Sequence, residues 1–171
     1  SVLHPPTMIG RGQPWQAMWS SWQKQQPFIV WAEAGLGKTR LLAEYCRGMA
    51  GVLLENALPG DEPEPYGLLG RLLVAVERQF APVLDGADRA ELARVRSELG
   101  TRASAPPHTS VIERAVENML AAASANGLGA IVLDDIHHAD APTLQVLRRL
   151  GSRPRMRAIR FGLASRPGVP E

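Results

Sequence analysis

Apolar residues along the chain fall into two kinds of pattern, short continuous runs and longer stretches with helical spacing. Three short runs bounded by polar or glycine residues predict buried strands over residues 28–32, 52–54 and 130–133, and a fourth strand is predicted over residues 157–164, where Arg160 interrupts the apolar pattern. Spacing of i, i+3 and i+4 predicts helices over residues 13–24, 38–48, 68–80, 89–99 and 142–150, and one more from Ser110 onward. Strands that alternate with helices predict a mainly parallel sheet covered on both faces, a three-layer α/β/α sandwich.

Two of the predicted helices carry informative details. Ser110 and Glu113 have the spacing of a capping box, so we expect the helix to begin there. Its apolar stripe consists of Ile112, Val116, Met119, Leu120 and Ala123. The first helix has an aromatic stripe of Trp15, Met18, Trp19 and Trp22, which predicts either a core face or a contact surface for a neighbouring domain. Proline-rich stretches at residues 59–65 and 100–108 predict loops.

The composition is that of one globular domain. The chain has 171 residues, of which 45% are hydrophobic and 21% are charged. It has no apolar run of 18 residues or more and no secretory signal at its start, so neither a membrane span nor export is expected. The single cysteine, Cys46, excludes an internal disulfide framework, and we expect it to be a buried structural thiol. The predicted location is the cytoplasm.

Basic residues concentrate late in the chain although the net charge is only +2. The cluster comprises Arg148, Arg149, Arg153, Arg155, Arg157, Arg160 and Arg166. Such a cluster can form a patch that binds polyanions or a solvated helix end and connector. We favour the second interpretation, because no aromatic platform for nucleic acid is interleaved with the arginines.

A glycine-rich turn joins the first predicted strand to a predicted helix. Its sequence is Ala32-Glu33-Ala34-Gly35-Leu36-Gly37-Lys38-Thr39. Gly35 and Gly37 permit backbone conformations that let several N–H groups converge, and the helix start adds a partial positive charge. Lys38 adds a mobile cation for the β- and γ-phosphates, and Thr39 adds a hydroxyl for Mg²⁺. The turn therefore predicts a P-loop for ATP, with GTP as the alternative. Ala32 stands where the usual pattern has glycine, and this is a departure from the motif.

A second motif is a buried strand that ends in two carboxylates. Residues 130–133 are apolar and lead directly into Asp134 and Asp135. Open α/β sheets bind ligands at the carboxyl ends of their strands, so we expect both carboxylates near the P-loop. Asp134 is the candidate to hold Mg²⁺, and Asp135 is the candidate to polarise an attacking water. His137 and His138 follow, but no third metal ligand has a usable spacing; we expect His137 to shape the loop.

Together these motifs resemble the STAND class of signal-transduction ATPases. The segments that carry the resemblance are residues 35–42 and residues 133–140. The sequence is most similar to the ATPase modules of large bacterial transcription activators of the LuxR-like and SARP-like types. Met8-Ile9-Gly10-Arg11 resembles the family motif that lies near the adenine, and residues 162–167 resemble the strand that ends in a sensor arginine, here Arg166. The resemblance spans nearly the whole chain.

The resemblance implies a set of roles and a domain plan. Nucleotide-binding residues are then Gly10, Arg11, Ala32, Glu33, Ala34, Gly35, Leu36, Gly37, Lys38, Thr39 and Arg40, metal-binding residues are Thr39 and Asp134, and catalytic residues are Lys38, Asp135 and Arg166. The chain is expected to be one ATPase core from a larger protein, with an N-terminal segment and helix over residues 1–26 and the α/β core over residues 27–166. The family's lid and winged-helix segments have no counterpart after Arg166, and no DNA-binding helix-turn-helix follows.

Three functions remain open at this stage. The first is an Mg²⁺-dependent ATP switch with slow hydrolysis in the intact parent, which controls transcription through other domains of that parent. The second is an ATP-dependent assembly module with negligible hydrolysis, whose partner is a second copy of the chain. The third is an AAA-type ATPase that acts directly on DNA; under the first two, DNA is bound only by a separate domain.

Two further departures from the family pattern are Gly12-Gln13, where the family has glutamate after its first motif, and His138, where tryptophan is usual.

Overall fold

Four parallel strands form the centre of the protein. The computed structural model describes residues 28–31, 37–47, 49–101 and 109–166, together with Gln16, Ser20 and Lys24. The strands are β1 (Phe28–Trp31), β2 (Val52–Asn56), β3 (Ala130–Asp134) and β4 (Arg160–Ser165). Their order across the sheet is β1-β4-β3-β2, and every neighbouring pair is parallel. The strand that follows β1 along the chain is therefore at the opposite edge of the sheet.

Helices cover both faces of this sheet. They are α1 (Lys38–Cys46), α2 (Gly67–Phe80), α3 (Gly86–Val95), α4 (Thr109–Ala125) and α5 (Ala141–Gly151). On one face, Leu41, Leu42 and Tyr45 of α1 pack against Val132 and Ala164. On the other face, the buried sides of α2, α4 and α5 pack against the alternate strand residues, which include Ile131 and Leu133. The prediction of a three-layer α/β/α sandwich with a parallel sheet is confirmed.

Strand β3 is the most buried element, because it has a strand on each side and a helical layer on each face. All five of its residues are buried, and Ile131, Val132 and Leu133 have no exposed surface. Its register places Asp134 beside Asn56 of β2. The continuous apolar run seen in the sequence therefore reflects burial on both faces, as expected for a central parallel strand.

The predicted apolar stripe of α4 is buried, as expected. Another predicted helix has a different start and is interrupted. The predicted helix over residues 89–99 is instead α3, which begins at Gly86, and a separate short 3₁₀ turn over Ser97–Leu99. Arg96 separates them in an extended conformation, with φ −152° and ψ 123°. The apolar spacing of residues 89–99 is compatible with a continuous helix, so it did not reveal this break.

The predicted capping box of α4 is wrong. The helix already includes Thr109, and Ser110 lies within it. The Glu113 carboxylate does not turn back to Ser110; it is almost fully buried and accepts a hydrogen bond from Arg149 at 2.7 Å. A buried carboxylate requires a charged partner, and the arginine on α5 supplies it.

Other boundaries shift by a few residues. Strand β4 begins only at Arg160, because Pro154–Ala158 forms a 3₁₀ helix. Of the predicted N-terminal helix, Gln16 and Ser20 are helical, and the Lys24 N–H donates to the Ser20 carbonyl at 3.0 Å. Its aromatic stripe lies outside the described residues. Within the part of the chain that the structure describes, no helix is long and apolar enough to span a bilayer.

Asp140 connects two segments that are distant in sequence. Its carboxylate caps α5 by accepting the Thr143 N–H at 2.8 Å and the Thr143 hydroxyl at 2.7 Å. The same carboxylate accepts the Tyr66 N–H at 2.8 Å, at the start of α2, where Tyr66 has φ 65°. The cap therefore also holds the residue that begins another helix.

We expect Asp140→Ala to lower the free energy of unfolding by about 3 kcal/mol, because it removes a helix cap and leaves three donors, two of them buried, without their acceptor. Asp85→Ala is the matched control: Asp85 caps α3 through a single backbone N–H at 2.7 Å and is exposed. Its loss should cost about 1 kcal/mol. Urea unfolding followed by circular dichroism measures both, and equal losses would contradict the linking role of Asp140.

Candidate functional site

Asp134 lies at the carboxyl end of the central strand and has no exposed surface. One carboxylate oxygen, Oδ1, accepts hydrogen bonds from Lys38 Nζ at 2.7 Å and from the Asp135 N–H at 2.8 Å. The other oxygen, Oδ2, accepts a hydrogen bond from the Thr39 hydroxyl at 2.5 Å. A fully buried carboxylate is costly unless it is paired and hydrogen-bonded, and these three donors meet that requirement.

Lys38 and Thr39 reach Asp134 because of how α1 begins. Gly37 precedes the helix in the left-handed conformation, with φ 75° and ψ 25°, which glycine adopts without steric cost. The first turn of α1 then places both side chains over the carboxyl edge of the sheet. Strand β4 lies between β1 and β3, so Lys38, which follows β1 along the chain, pairs with a residue two strands away from β1. The predicted meeting of the lysine and the acidic strand is observed.

Asp135 forms the second carboxylate of the site. Its Oδ1 accepts a hydrogen bond from Lys38 Nζ, and 28% of its side chain is exposed. Its backbone is left-handed, with φ 51° and ψ 38°, which is uncommon outside glycine but tolerated better by aspartate than by most residues. This conformation turns the chain from β3 into a 3₁₀ turn over Ile136–His138.

The close contact between Lys38 and the two carboxylates shifts the pKa of Lys38 and of Asp135. Burial favours the uncharged forms of both groups, but the hydrogen bonds and charges across the pair outweigh it. The pKa of Asp135 is therefore lowered, mainly by the Lys38 ammonium and with smaller contributions from His137 and Arg166. The pKa of Lys38 is raised by Asp134 and Asp135 against the opposing effect of burial. Both groups are charged at neutral pH.

Two further predicted residues border this cluster. His137 Nδ1 lies 3.9 Å from Asp135 Oδ1, and the imidazole is almost fully buried. Arg166 follows the carboxyl end of β4 and is exposed; its charge acts on both Asp135 and His137. The pairing of Lys38 with Asp135 and the inward position of His137 were not predicted from sequence. The signal available in the sequence was that Asp135 and His137 are two residues apart on a tight turn.

The donor set suits a hard cation beside a phosphate. Thr39 Oγ1 and Asp134 Oδ2 are two oxygens in contact, next to the ammonium of Lys38. Mg²⁺ commonly takes one or two protein oxygens and completes its octahedron with water and substrate phosphate. No group of three or more His, Cys, Asp or Glu side chains that could hold a metal occurs among the described residues. These two residues therefore fit Mg²⁺ only as part of a metal–phosphate complex.

Several predicted binding residues cannot be placed relative to this cluster. Gly10, Arg11, Ala32, Glu33, Ala34, Gly35 and Leu36 lie outside the described residues. Arg40 is on α1, where its Nε pairs with Glu44 Oε1 at 3.0 Å, an interaction along the helix surface. Of the predicted set, the structure thus brings together Lys38, Thr39, Asp134 and Asp135.

Two clefts elsewhere are lined by different residues. One has a volume of about 530 Å³ and lies between β2, α2 and the 3₁₀ turn that follows α3. The other, of about 1030 Å³, runs along β4 and α5 and has a mainly apolar lining. Neither has Lys38, Thr39, Asp134 or Asp135 among its described lining residues. The charged cluster is therefore a site at the sheet edge and separate from both clefts.

Three of the seven late arginines bind side chains of the neighbouring helix α4. Arg149 pairs with Glu113 at 2.7 Å, Arg153 with Glu117 at 3.1 Å, and Arg155 donates to the Asn118 side chain at 2.9 Å. These contacts favour a structural role in joining α5 and its connector to α4.

Cys46 is partly buried, and burial raises the pKa of its thiol to about 11, which keeps it protonated and unreactive.

We expect Lys38→Met to lower the free energy of unfolding by about 3 kcal/mol at pH 7, because it leaves the fully buried Asp134 without its cation. Adding Asp134→Asn to that variant removes the uncompensated charge and should restore at least about 1 kcal/mol. Chemical denaturation of the wild type, both single variants and the double variant measures the coupling. Strictly additive losses would show that the two side chains do not stabilise each other.

The comparison with protein families agrees with this geometry. The chain matches the family model described as the AAA ATPase domain over residues 10–161, a range that contains all four clustered residues. No curated protein matches the chain. The match confirms the prediction of a P-loop ATPase domain, and membership implies a nucleotide-binding module. The chain belongs to the AAA ATPase domain family.

Proposed function

We propose that this domain binds ATP with Mg²⁺ at the carboxyl edge of its sheet and hydrolyses it slowly, as the nucleotide-controlled switch of a larger regulator. The observation that carries the proposal is the contact of Lys38 Nζ and Thr39 Oγ1 with Asp134. A phosphate-binding cation and two Mg²⁺-compatible oxygens come from separate parts of the chain and meet at one point. A purely structural ion pair does not require the adjacent threonine hydroxyl or a second carboxylate.

The phosphates bind where the positive groups are concentrated. The first turn of α1 presents its unpaired amides and the positive end of its dipole, and Lys38 adds a full charge. Because its pKa is raised, Lys38 is cationic at neutral pH. Thr39 and Asp134 are the residues that would hold Mg²⁺. When bound, Mg²⁺ supplies charge neutralisation between the β- and γ-phosphate oxygens.

Lys38 meets the phosphates with part of its ammonium already engaged. Two of its three donors are bound to Asp134 and Asp135. A γ-phosphate carries more negative charge than either carboxylate and offers several acceptor oxygens. It therefore competes for the ammonium, and Asp135 loses the interaction that is most exposed to solvent.

Asp135 is positioned to assist hydrolysis. Its lowered pKa keeps it an acceptor at neutral pH, able to orient a water and to receive its proton. The oxygen of that water forms a bond to the γ-phosphorus. The bond from this phosphorus to the bridging oxygen breaks, and its electron pair stays on ADP. The proton passes from the water to Asp135 and then to the released phosphate. Arg166 lies close enough to act electrostatically on Asp135, and we assign it to the charge that develops on the γ-phosphate.

The output of the switch is proposed to be control of transcription through other domains of the same protein. The support is the resemblance of residues 35–42 and 133–140 to the ATPase modules of bacterial STAND regulators. A switch needs differential contacts in two nucleotide states, and the end of β4 is the element beside the γ-phosphate position. ATP-driven assembly without turnover is the second candidate, and turnover measurements separate it from the first.

Lys38→Met should weaken MgATP binding by at least about tenfold, because one charge-assisted interaction with the phosphates is lost. Arg89→Gln is the control: it removes one positive charge from a pair with Glu77 at the surface and should bind as the wild type does. Isothermal titration at a temperature where circular dichroism shows both variants folded measures the affinities. Equal affinities of wild type and Lys38→Met would contradict the site.

Asp135→Asn should lower the rate of ATP hydrolysis by about 100-fold while MgATP affinity stays within about threefold, because the amide cannot accept a proton. Glu77→Gln is the matched change at a distant carboxylate and should be silent. Turnover is measured on the full-length protein that contains the domain. Equal background rates for wild type and Asp135→Asn would favour the assembly module.

A further inference from the structure

We propose that His137 is a positioning residue that takes over the hydrogen bond to Asp135 when a phosphate draws Lys38 away. The inference rests on the proposed function, because it concerns the same carboxylate during nucleotide binding. It assigns a specific task to a side chain that the sequence suggested only as part of a loop. Under it, His137 does not touch the nucleotide; it acts through Asp135.

The first observation is that the imidazole of His137 is buried and has no hydrogen-bond partner among the described residues. Only 8% of its side chain is exposed. Both ring nitrogens, Nδ1 and Nε2, are shielded from solvent, and neither has a hydrogen-bond partner in the part of the chain that the structure describes. An unsatisfied buried polar group costs roughly 1–3 kcal/mol, so native proteins rarely retain one without a use for it.

The second observation is where this ring points. Nδ1 lies 3.9 Å from Asp135 Oδ1, the same oxygen that accepts the hydrogen bond from Lys38. This distance exceeds a normal hydrogen bond by about 1 Å, a gap that a small side-chain rotation closes. Catalytic hydrogen bonds are often long until substrate binds and tighten in the complex.

The local backbone holds the ring in this direction. Asp135 is left-handed, and its carbonyl accepts the His138 N–H at 3.0 Å, which closes the turn. The turn folds His137 back beside the carboxylate two residues earlier. The His138 ring packs against that of His137, with centroids 4.1 Å apart and planes tilted by 43°. The imidazole can therefore shift slightly toward Asp135 but is not free to swing away.

The imidazole is in the correct state to donate. Burial, followed by the proximity of His138, lowers the pKa of His137, and the opposing effect of Asp135 does not reverse this. A neutral imidazole has one N–H donor and one acceptor nitrogen, and the nearest acceptor sets which nitrogen carries the proton. Facing a carboxylate, Nδ1 becomes the donor and Nε2 the acceptor.

The exchange of donors follows because Lys38 and His137 both face the same oxygen, Asp135 Oδ1. With Lys38 bound to phosphate, Asp135 Oδ1 loses its donor and the carboxylate could rotate freely. A hydrogen bond from His137 Nδ1 fixes Asp135 Oδ1 again, and Oδ2 then faces the attacking water. The consequence is specific: removal of this donor impairs the chemical step and leaves nucleotide binding intact.

Three substitutions of His137 separate a donor role from a packing role. In His137→Asn, the side-chain amide nitrogen lies close to the position of Nδ1; in His137→Gln, it lies closer to Nε2; His137→Ala has neither. We expect His137→Ala and His137→Gln to lower kcat by about tenfold with KM and MgATP affinity within about twofold, and His137→Asn to retain most of kcat. Glu77→Gln, the change at a distant carboxylate used above, is the control and should change kcat by less than about twofold.

Ring ¹⁵N chemical shifts of His137 give a readout that does not depend on turnover. In Lys38→Met without nucleotide, and in the wild type with Mg²⁺ and a non-hydrolysable ATP analogue, Nδ1 should carry the proton. In the Lys38→Met/Asp135→Ala variant, the Nδ1–H signature should disappear. Because the Lys38→Met experiment uses no nucleotide, it tests the exchange even if the protein does not hydrolyse ATP.

Each outcome decides the inference. Rescue of kcat by asparagine, together with the Nδ1–H signature in Lys38→Met, supports it. Equal losses for alanine and asparagine, loss of nucleotide affinity in all three variants, or an Nε2–H tautomer in Lys38→Met overturns it and makes His137 a packing residue. Absence of Lys38-dependent MgATP binding in the wild type instead overturns the proposed function, whatever the tautomer in Lys38→Met.

Discussion

A buried ion pair across the edge of the sheet sets the requirements for the rest of this domain. Asp134 has no exposed surface, and its negative charge is stabilised by the Asp135 N–H and by Lys38 and Thr39, which reach it from a different part of the chain. Several features serve that meeting. Strand β3 must be central to bury Asp134, β4 must separate it from β1, and α1 must begin at Lys38, within reach of Asp134. The left-handed Gly37 makes that beginning possible.

The packing beneath the pair explains why these positions are fixed. Leu41, Leu42 and Tyr45 attach α1 to the sheet through Val132 and Ala164, which belong to the strands that end at the site. On the opposite face, a larger apolar layer holds β3 from below. The loop after β2 is ordered separately, because Arg71 donates to both carboxylate oxygens of Asp61 and to the Asn56 carbonyl. The charged groups therefore lie on a rigid support, which lowers the cost of bringing them together.

The sequence was sufficient for the parts that depend on local patterns. Continuous apolar runs identified three strands, and the fourth was predicted although Arg160 interrupts its apolar pattern. A glycine-rich turn before Lys38 together with an acidic strand end at Asp134 predicted that the two would meet. What failed depends on contacts between distant residues. Glu113 has the spacing of a helix cap, but its carboxylate pairs with Arg149, 36 residues away. Arg96 interrupts a sequence that is compatible with a continuous helix. The orientation of His137 follows from one backbone conformation, that of Asp135, which no periodicity encodes. The P-loop residues before Gly37 and the N-terminal motif remain predictions.

The strand order has a mechanical consequence. Because β4 lies between β1 and β3, its backbone is hydrogen-bonded on both sides. The strand that precedes Lys38 along the chain and the strand that ends in Asp134 are therefore joined through β4 and not directly to each other. A shift of either strand that changes the distance between Lys38 and Asp134 has to be accommodated by the backbone hydrogen bonds of β4. The strand that ends next to Arg166 is thus the spacer that sets the width of the site.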